Sequence, residues 1–246
     1  LHLVYQPVFD LRSGEVLGVE ALTRWQHPDR GTIPPDRFIP IAEESDLIVE
    51  LGTWILDEAI RQVVSWRDAG LELVMGVNVS TRQLEQEDFV DVVQQLLAKH
   101  GAPPTQLLLE LTESVLVADL DEVGQRLNVL RALGIRVAID DFGTGYASMS
   151  YLSRLPVDVV KIDHSFVRRL GSDSTDSALV RSVIDLAATL GLGTVAEGVE
   201  RVDQMETLQR LQCQTAQGYL LSAPVEPAAV PVLARASRIN ALVAGF

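Results

Sequence analysis

Cysteine is almost absent from the sequence, which has one, Cys213, among 246 residues. A single thiol cannot form an intrachain disulfide, which fits a reducing compartment. Cys213 stands between Gln212 and Gln214 near an apolar run, so we interpret it as a small buried side chain and not as a nucleophile. The four histidines form neither an HxH nor an HExxH pair. Together, these two shortages argue against a zinc site.

Basic residues are also scarce, with 20 Lys and Arg against 34 Asp and Glu and a net charge of −14. Binding to a nucleic-acid backbone needs clustered Lys and Arg, so we expect no direct DNA or RNA binding. A small phosphorylated ligand remains compatible with this charge, provided that metal ions invert the local field. Solubility alone would explain the charge equally well.

No apolar run approaches the roughly 18 residues that a membrane-spanning helix needs. The chain begins with Leu and shows no basic-then-apolar leader. We therefore expect a cytoplasmic domain cut from a longer protein, which could itself be tethered to a membrane. The chain has no low-complexity segment or long linker, so residues 1–246 are interpreted as one domain.

Apolar runs of strand length alternate with stretches of helical periodicity. The predicted strands cover residues 2–9, 15–22, 72–79, 106–112, 135–141, 157–162, 193–197 and 214–221. The clearest helical stretches are 53–68, 119–133 and 175–190. Glycines follow the helical stretches at positions 70, 101, 134 and 191, where a left-handed residue ends the last turn. This alternation predicts βα units and a mostly parallel sheet.

The first two predicted strands depart from this alternation of strand and helix, because only a few residues around Ser13 and Gly14 separate them. A parallel crossover needs a dozen or more residues, so the first strand must pair antiparallel to the second. The length is close to the ~250 residues of a (β/α)8 barrel. We predict an α/β fold, a modified TIM (β/α)8 barrel with its first strand antiparallel to the rest.

Acidic or amide residues close successive predicted strands. These residues are Glu20, Asn78, Glu110, Asp140, Asp141 and Glu197. Any one of them alone would be explained as a helix cap or a loop anchor. In a barrel the strand ends converge, and clustered carboxylates repel one another unless cations neutralise them. Carboxylate and amide oxygens suit Mg²⁺ or Mn²⁺.

The adjacent Asp140 and Asp141 suggest two metal ions, because one carboxylate can bridge while the next reaches the second ion. Lys161 falls at the next strand end, where it could position a water or offset excess carboxylate charge. Asp141-Phe142-Gly143 is not interpreted as a protein-kinase DFG motif, because neither a glycine-rich loop nor an HRD segment precedes it.

A series of motifs, in order, resembles the EAL domain family of bacterial cyclic di-GMP phosphodiesterases. The motifs are Val19–Trp25 (VEALTRW), Asn78–Ser80 (NVS), Glu110–Ser114 (ELTES), Asp140–Tyr146 (DDFGTGY), Lys161–Asp163 (KID), Ala196–Glu200 (AEGVE) and Gln217–Tyr219 (QGY). The resemblance extends from about Leu3 to Pro224. It implies the same barrel with a reversed first strand, and Mg²⁺- or Mn²⁺-dependent hydrolysis of cyclic di-GMP to linear pGpG.

The resemblance also implies roles for individual residues. Glu20, Asn78, Glu110 and Asp140 match ligands of a first metal ion, and Asp140, Asp141 and Glu197 match those of a second. Lys161 matches the residue that helps to activate water, so that Lys161, Glu197 and Glu20 are the expected catalytic residues. Gln6, Arg24, Asp163 and Gln217 match substrate-binding positions. Glu113 matches the glutamate that anchors the DDFGTGY loop.

The family further implies a homodimer through the loop after Asp141 and a flanking sensory or nucleotide-cyclase domain. Departures from the family pattern include Ala147, where a serine is usual, and Ala223, where a basic residue often precedes proline. Neither removes a matched ligand. The alternatives to an active enzyme are a catalytically weak or inactive cyclic di-GMP receptor and a pure interaction domain that a neighbour regulates.

Overall fold

The computed structural model describes residues 1–113, 120–143, 152, 155–171 and 174–236. The strands are β1 (His2–Asp10), β2 (Val16–His27), β3 (Gly31–Ile33), β4 (Val74–Asn78), β5 (Leu107–Thr112), β6 (Arg136–Phe142), β7 (Val159–Ile162), β8 (Gly193–Ala196) and β9 (Thr215–Ala216). The helices are α1 (Pro35–Glu44), α2 (Leu47–Asp68), α3 (Thr81–Leu84), α4 (Phe89–His100), α5 (Leu120–Ala132), α6 (His164–Val167), α7 (Ser174–Leu190), α8 (Val202–Arg210) and α9 (Val230–Ala236).

Eight of the strands close into a barrel. Strands β2 and β4 to β9 run parallel to one another, while β1 pairs antiparallel with both β2 and β9 and so completes the ring. The predicted modified (β/α)8 barrel with a reversed first strand is therefore confirmed. Since the parallel strands share one direction, their carboxyl ends meet at one face of the barrel.

A tight turn produces the reversal of β1. The Asp10 carboxylate accepts hydrogen bonds from the backbone N–H groups of Arg12 (2.9 Å) and Ser13 (2.6 Å). Gly14 follows with φ of 79°, a left-handed conformation that glycine adopts without steric cost. The turn leaves no room for a crossover helix, so β2 returns directly beside β1.

The segment that follows the second predicted strand contains the short strand β3. It pairs with the end of β2, with Trp25 opposite Ile33 and His27 opposite Gly31. This extension was not predicted because three residues carry too little periodicity to identify a strand. The Trp25 ring packs edge-on against Phe38 of α1, with centroids 5.5 Å apart, and so fixes the hairpin to the first helix.

The last predicted strand, 214–221, is much shorter in the structure, where β9 covers only Thr215–Ala216. Gln217 still donates its backbone N–H to Ala196, but the chain then turns, and Leu221 and Ser222 donate to the carbonyl of Gly218. The apolar residues after Gly218 belong to this turn, and strand periodicity alone did not distinguish the two.

Helices pack their predicted apolar faces against the outer surface of the barrel. On α2, Ile55, Ala59, Ile60 and Val63 are buried, as their spacing predicts. The Tyr5 ring of β1 meets Trp66 of α2 edge-on at 4.9 Å. Among the described residues, no helix has both the length and the apolar composition that crossing a membrane requires.

Candidate metal centre

A buried lysine lies at the centre of the carboxylates on the carboxyl face of the barrel. The Nζ atom of Lys161 on β7 is 2.5 Å from Glu110 Oε2, 2.8 Å from Glu197 Oε1, 3.0 Å from Asp140 Oδ2 and 3.3 Å from Glu20 Oε2. These four carboxylates come from β2, β5, β6 and the residue after β8. The structure thus brings carboxylates that are up to 177 residues apart in sequence onto one ammonium group. Glu20 is not at a strand end, because β2 continues to His27, beyond the predicted end at residue 22.

The charged groups of this cluster shift one another's pKa values. Burial alone would lower the pKa of Lys161, but the surrounding carboxylates, with Glu110 first, outweigh it and raise that pKa well above its usual range. The lysine therefore stays protonated. The same ammonium, with hydrogen bonds from Gln217 and Asn78, overcomes the effect of burial on Glu20 and lowers the pKa of that carboxyl.

The single positive charge of Lys161 does not neutralise all of the carboxylates around it. Burial, reinforced by the neighbouring acids, raises the pKa of Glu110 well above its usual range and that of Glu197 to about 8. Burial and the adjacent Asp140 also raise the pKa of Asp141. The cluster therefore takes up positive charge readily, either as protons or as cations.

The carboxylate oxygens form two overlapping groups of the kind that hold metal ions. Glu20, Glu110 and Asp140 offer oxygens within 4.8 Å of one another, and so do Asp140, Asp141 and Glu197. The two groups share Asp140. Hard oxygen donors, the absence of His and Cys from both groups and the excess negative charge all fit Mg²⁺ or Mn²⁺. The two predicted carboxylate sets therefore coincide with two groups that the fold brings together.

A local irregularity explains how two consecutive aspartates reach the same site. In a regular strand, successive side chains point to opposite faces. The pairing of β6 with β7 shifts register between Ile139 and Phe142, and Asp141 has φ of 55°. The Asp141 N–H donates to Asp140 Oδ1 at 2.9 Å. This bulge carries Asp141 away from the alternating pattern, in a conformation that is unusual for a residue other than glycine.

Two amide side chains hold the carboxylates in position. Asn78 donates from Nδ2 to Glu20 Oε1 at 2.7 Å. Gln217 donates from Nε2 to Glu20 Oε2 at 2.6 Å and to Glu197 Oε1 at 2.9 Å. The Oε1 atom of Gln217 is buried and has no hydrogen-bond partner among the described residues.

Two of the predicted substrate-binding residues lie at the edge of the cluster. Gln6 on β1 is buried opposite Glu20 and donates from Nε2 to the carbonyl of Ser222 at 3.2 Å. Arg24 lies near the end of β2 and donates from Nη1 to the carbonyl of Thr23 at 3.0 Å. A pocket of about 250 Å³ lies beside Arg24 and Asn78. Their substrate-binding roles stay predictions.

Asp163 has a structural role that the sequence analysis did not identify. Its carboxylate accepts from the backbone N–H of Ser165 at 3.0 Å and so caps α6, and its other oxygen lies 2.8 Å from His164 Nδ1. Asp-x-Ser at the start of a helix is a recognisable capping pattern. Both of its oxygens have partners in this arrangement, so a contact with substrate stays a prediction.

Glu113 lies where the resemblance implies a loop anchor. It is buried, and its Oε2 accepts the backbone N–H of Gly143, two residues after Asp141, at 2.9 Å. Residues 144–151, which include the end of the DDFGTGY segment and Ala147, lie outside the described residues. The predicted dimer contact through this loop lies partly in that segment and stays a prediction.

Gly76 on β4 is a residue of the site that the sequence analysis missed. A Cβ atom at this position would overlap Glu110 Oε1. The inward spacing of Gly76, two residues before Asn78, was the available signal. Its lack of a side chain makes room for the Glu110 carboxylate beneath the cluster.

Comparison with known proteins agrees with this geometry. The EAL domain family model matches residues 1–224. The chain belongs to the EAL domain family. This EAL domain is 46% identical over 226 residues to the bifunctional diguanylate cyclase/cyclic di-GMP phosphodiesterase MucR of Pseudomonas aeruginosa, covering 92% of the chain and 33% of MucR. It is 41% identical over 242 residues to the cyclic di-GMP phosphodiesterase NbdA of the same bacterium, covering 98% of the chain and 31% of NbdA.

Solved structures give the same assignment. The MucR phosphodiesterase in complex with cyclic di-GMP superposes on this EAL domain with a TM-score of 0.89 and 44% identity, covering 93% of both chains. The EAL domain of Mycobacterium smegmatis DcpA superposes with a TM-score of 0.83 and 40% identity, covering 97% of both chains. The chain spans about a third of the length of the curated relatives that it matches.

Proposed function

We propose that this chain is a divalent-cation-dependent phosphodiesterase that hydrolyses one phosphodiester bond of cyclic di-GMP and releases linear pGpG. The observation that carries the proposal is the pair of carboxylate groups that share Asp140 around the ammonium of Lys161. MucR and NbdA carry cyclic di-GMP phosphodiesterase in their names, which supports the choice of substrate.

The position of each residue in the cluster indicates which cation it would bind. Glu20, Asn78, Glu110 and Asp140 would hold one cation, and Asp140, Asp141 and Glu197 would hold the second. Two Mg²⁺ or Mn²⁺ ions bound there would lower the pKa of a water and stabilise the charge that develops on the phosphate oxygens. The protein supplies the fixed geometry, because these ligands lie on barrel strands or, for Glu197, directly after one.

Lys161 and Gln217 would act on the attacking water and the phosphate. Lys161 stays protonated, so it donates hydrogen bonds and positive charge and does not serve as a base. Gln6 and Arg24 would bind the nucleotide at the edge of the cluster.

The direct test is to incubate the purified protein with cyclic di-GMP and Mn²⁺ or Mg²⁺ and to separate the products by chromatography. We expect pGpG to accumulate with either ion and to be absent in EDTA. Saturable binding of cyclic di-GMP without product, at several metal concentrations, would favour a receptor instead. A folded protein that neither binds nor cleaves the nucleotide would favour a pure interaction domain.

A matched pair of variants tests the cluster itself. Glu20→Gln keeps the shape of the side chain but removes one charge from the first group, and we expect kcat to fall by about 10²–10³-fold. Glu15→Gln makes the same change at an exposed position of the β1–β2 hairpin and should leave kcat unchanged. A near-normal rate in Glu20→Gln would remove Glu20 from the mechanism.

We also propose the setting of this activity. Since the relatives are about three times as long, this EAL domain would work in the bacterial cytoplasm beside a sensory or nucleotide-cyclase domain, as part of a homodimer. Light scattering of the isolated chain, with and without Mn²⁺, tests the dimer through its mass.

A further inference from the structure

Glu197 is placed differently from the other predicted cation ligands. Those residues lie on barrel strands, whereas Glu197 comes directly after β8, at the start of the segment that joins β8 to α8. Its backbone N–H still donates to the carbonyl of Ile162 at 3.1 Å, but the next residue, Gly198, has φ of 65° and leaves the strand direction. The position of the Glu197 carboxylate therefore depends on the contacts that fix residues 197–201.

A fully buried glutamine fixes the far end of this segment. Gln204 lies in the first turn of α8 and is 0% exposed. Its Oε1 atom accepts hydrogen bonds from the backbone N–H groups of Glu200 at 2.8 Å and Arg201 at 2.9 Å. A glutamine in the first turn of a helix commonly reaches back in this way. This half of the amide therefore caps α8 and holds the end of the 197–201 segment.

The other half of the same amide contacts the segment that follows Lys161. Gln204 Nε2 donates to the carbonyl of Val167 at 3.1 Å and to that of Arg168 at 3.3 Å, at the end of α6. The helix α6 begins directly after its capping residue Asp163, two residues beyond Lys161. The amide thus donates and accepts at once, which neither an apolar side chain nor a carboxylate can do.

Arg201 makes a second link between the same two segments. Its guanidinium donates from Nη1 to the carbonyl of Arg168 at 3.2 Å and from Nη2 to that of Leu170 at 2.6 Å. Asp203 accepts from Nε at 2.9 Å and so holds the guanidinium in this orientation. Gln204 and Arg201 together therefore contribute four hydrogen bonds that join the start of α8 to the end of α6.

The two segments also touch directly beside the metal centre. Gly198 approaches α6 so closely that a Cβ atom there would lie 2.6 Å from the Cβ of His164. The residues that precede this contact form an ion pair, with Lys161 Nζ 2.8 Å from Glu197 Oε1. A shift of residues 197–201 relative to α6 would therefore change the distance between this ammonium and this carboxylate.

We propose that Gln204 is a positioning residue of the metal centre, which acts through residues 197–201 on Glu197 and so sets its distance from Lys161. This role rests on the proposed function, because Glu197 is a predicted ligand of the second cation. Removing a group that holds a metal ligand in place typically costs about 10–100-fold in metal affinity or activity. A helix cap alone would contribute to the stability of α8 and would leave the site unchanged.

The test replaces Gln204 with methionine, which has a similar length and removes every hydrogen bond of the amide. The chain contains only two lysines, so NMR of protein labelled with nitrogen-15 in its lysines gives one Nζ signal from Lys161 and one from Lys99. In EDTA and without nucleotide, we expect Gln204→Met to shift the Lys161 signal, because the Glu197 carboxylate moves. The signal of Lys99, which pairs with Asp57 on the surface, should stay unchanged.

Cation binding and turnover give two further readouts. We expect the second Mn²⁺ ion to bind about tenfold more weakly to Gln204→Met, whereas the first, held by residues on strands, should bind as it does to the wild type. Calorimetry without nucleotide measures both Kd values. With saturating Mn²⁺ and cyclic di-GMP, kcat should fall by about 10–100-fold, with a smaller change in KM.

Two further variants separate position from stability. Gln209→Met changes the same residue type on the same helix, where the Gln209 amide donates to the carbonyl of Leu11 at 2.9 Å, and it should leave all three readouts unchanged. Arg201→Met removes the second link at a side chain that is 44% exposed, so it should fold even if Gln204→Met does not. It should shift the Lys161 signal in the same direction but less. Thermal melts check that each variant folds.

Hydrolysis by the wild type tests the proposed function, whereas the difference between Gln204→Met and Gln209→Met tests the positioning role and needs no turnover. A shifted Lys161 signal and a weaker second cation in Gln204→Met alone of these two support the role. A folded Gln204→Met with the Lys161 signal and Mn²⁺ affinities of the wild type would overturn it and leave Gln204 as a helix cap. If Gln204→Met does not fold, an unchanged Lys161 signal in Arg201→Met has the same consequence.

Discussion

Replacing Lys161 with methionine tests the electrostatic account of the metal centre most directly. Lys161→Met preserves the length of the side chain and deletes the charge that contacts four carboxylates at 2.5–3.3 Å. The lysine is 2% exposed, so water does not replace it. Removing one partner of a buried ion pair typically costs 3–5 kcal/mol, and we expect a loss of about that size in the free energy of unfolding.

Divalent cations should reverse much of this loss. A cation that binds only the folded protein stabilises it by about 2.7 kcal/mol at 100 times its Kd. In urea unfolding above pH 8, where protons are scarce, the variant should therefore be strongly destabilised in EDTA. Addition of Mn²⁺ should stabilise Lys161→Met more than the wild type, because the cation replaces a missing charge in the variant.

The chain offers a matched control, since Lys99 is its only other lysine. Lys99 pairs with Asp57 at 2.8 Å on the surface, with its side chain 56% exposed. Lys99→Met should cost at most about 1 kcal/mol and should not respond to Mn²⁺. A loss below about 1 kcal/mol for Lys161→Met in EDTA, or an equal response of both variants to Mn²⁺, would refute the reasoning.

Two further predictions concern residues away from the site. Burial raises the pKa of the Cys213 thiol to about 11, so a thiol reagent at pH 8 should modify the native protein slowly and the urea-unfolded protein at once; rapid labelling of the native state would contradict this. Burial opposes ionisation of Asp57, but hydrogen bonds from Lys99 and His100 outweigh it and lower the pKa of that carboxyl. Its contribution to stability is therefore present above pH ~4 and is lost as the pH falls through the folded pKa. Asp57→Asn should cost about 1 kcal/mol at pH 7 in urea unfolding and progressively less below pH 4, and a pH-independent cost would exclude the ion pairs as its cause.

The reversed first strand and the ring of strand-end carboxylates were predictable for a specific physical reason. The gap around Ser13 and Gly14 is too short for a crossover, which leaves antiparallel pairing as the remaining choice. Each carboxylate closes an apolar run, and parallel strands in a barrel place their carboxyl ends together. Glu20 and Glu197 could therefore be assigned to one site although their separation in the chain is large.

Other features depend on geometry that residue patterns do not carry. The inward position of Asp141 follows from a register shift and a positive φ, and neither is encoded by the periodicity of the strand. The room for the Glu110 carboxylate follows from Gly76 facing inward, whereas a glycine in a strand pattern equally suggests a bulge or an edge. The capping role of Asp163 was hidden because the family motif already offered a different role.

The bulge at Asp141 has a consequence for how the two carboxylate groups respond to disturbance. Glu20 and Glu110 are on strands that pair regularly with a neighbour on each side, so their spacing is as stiff as the barrel wall. Asp141 has left the regular ladder, and Gly143 beyond it is held by the side chain of Glu113. The second group, which consists of Asp140, Asp141 and Glu197, is therefore easier to displace than the first. Loss of the hydrogen bond between the Gly143 N–H and Glu113 would therefore disturb Asp141 before it disturbs Glu20 and Glu110.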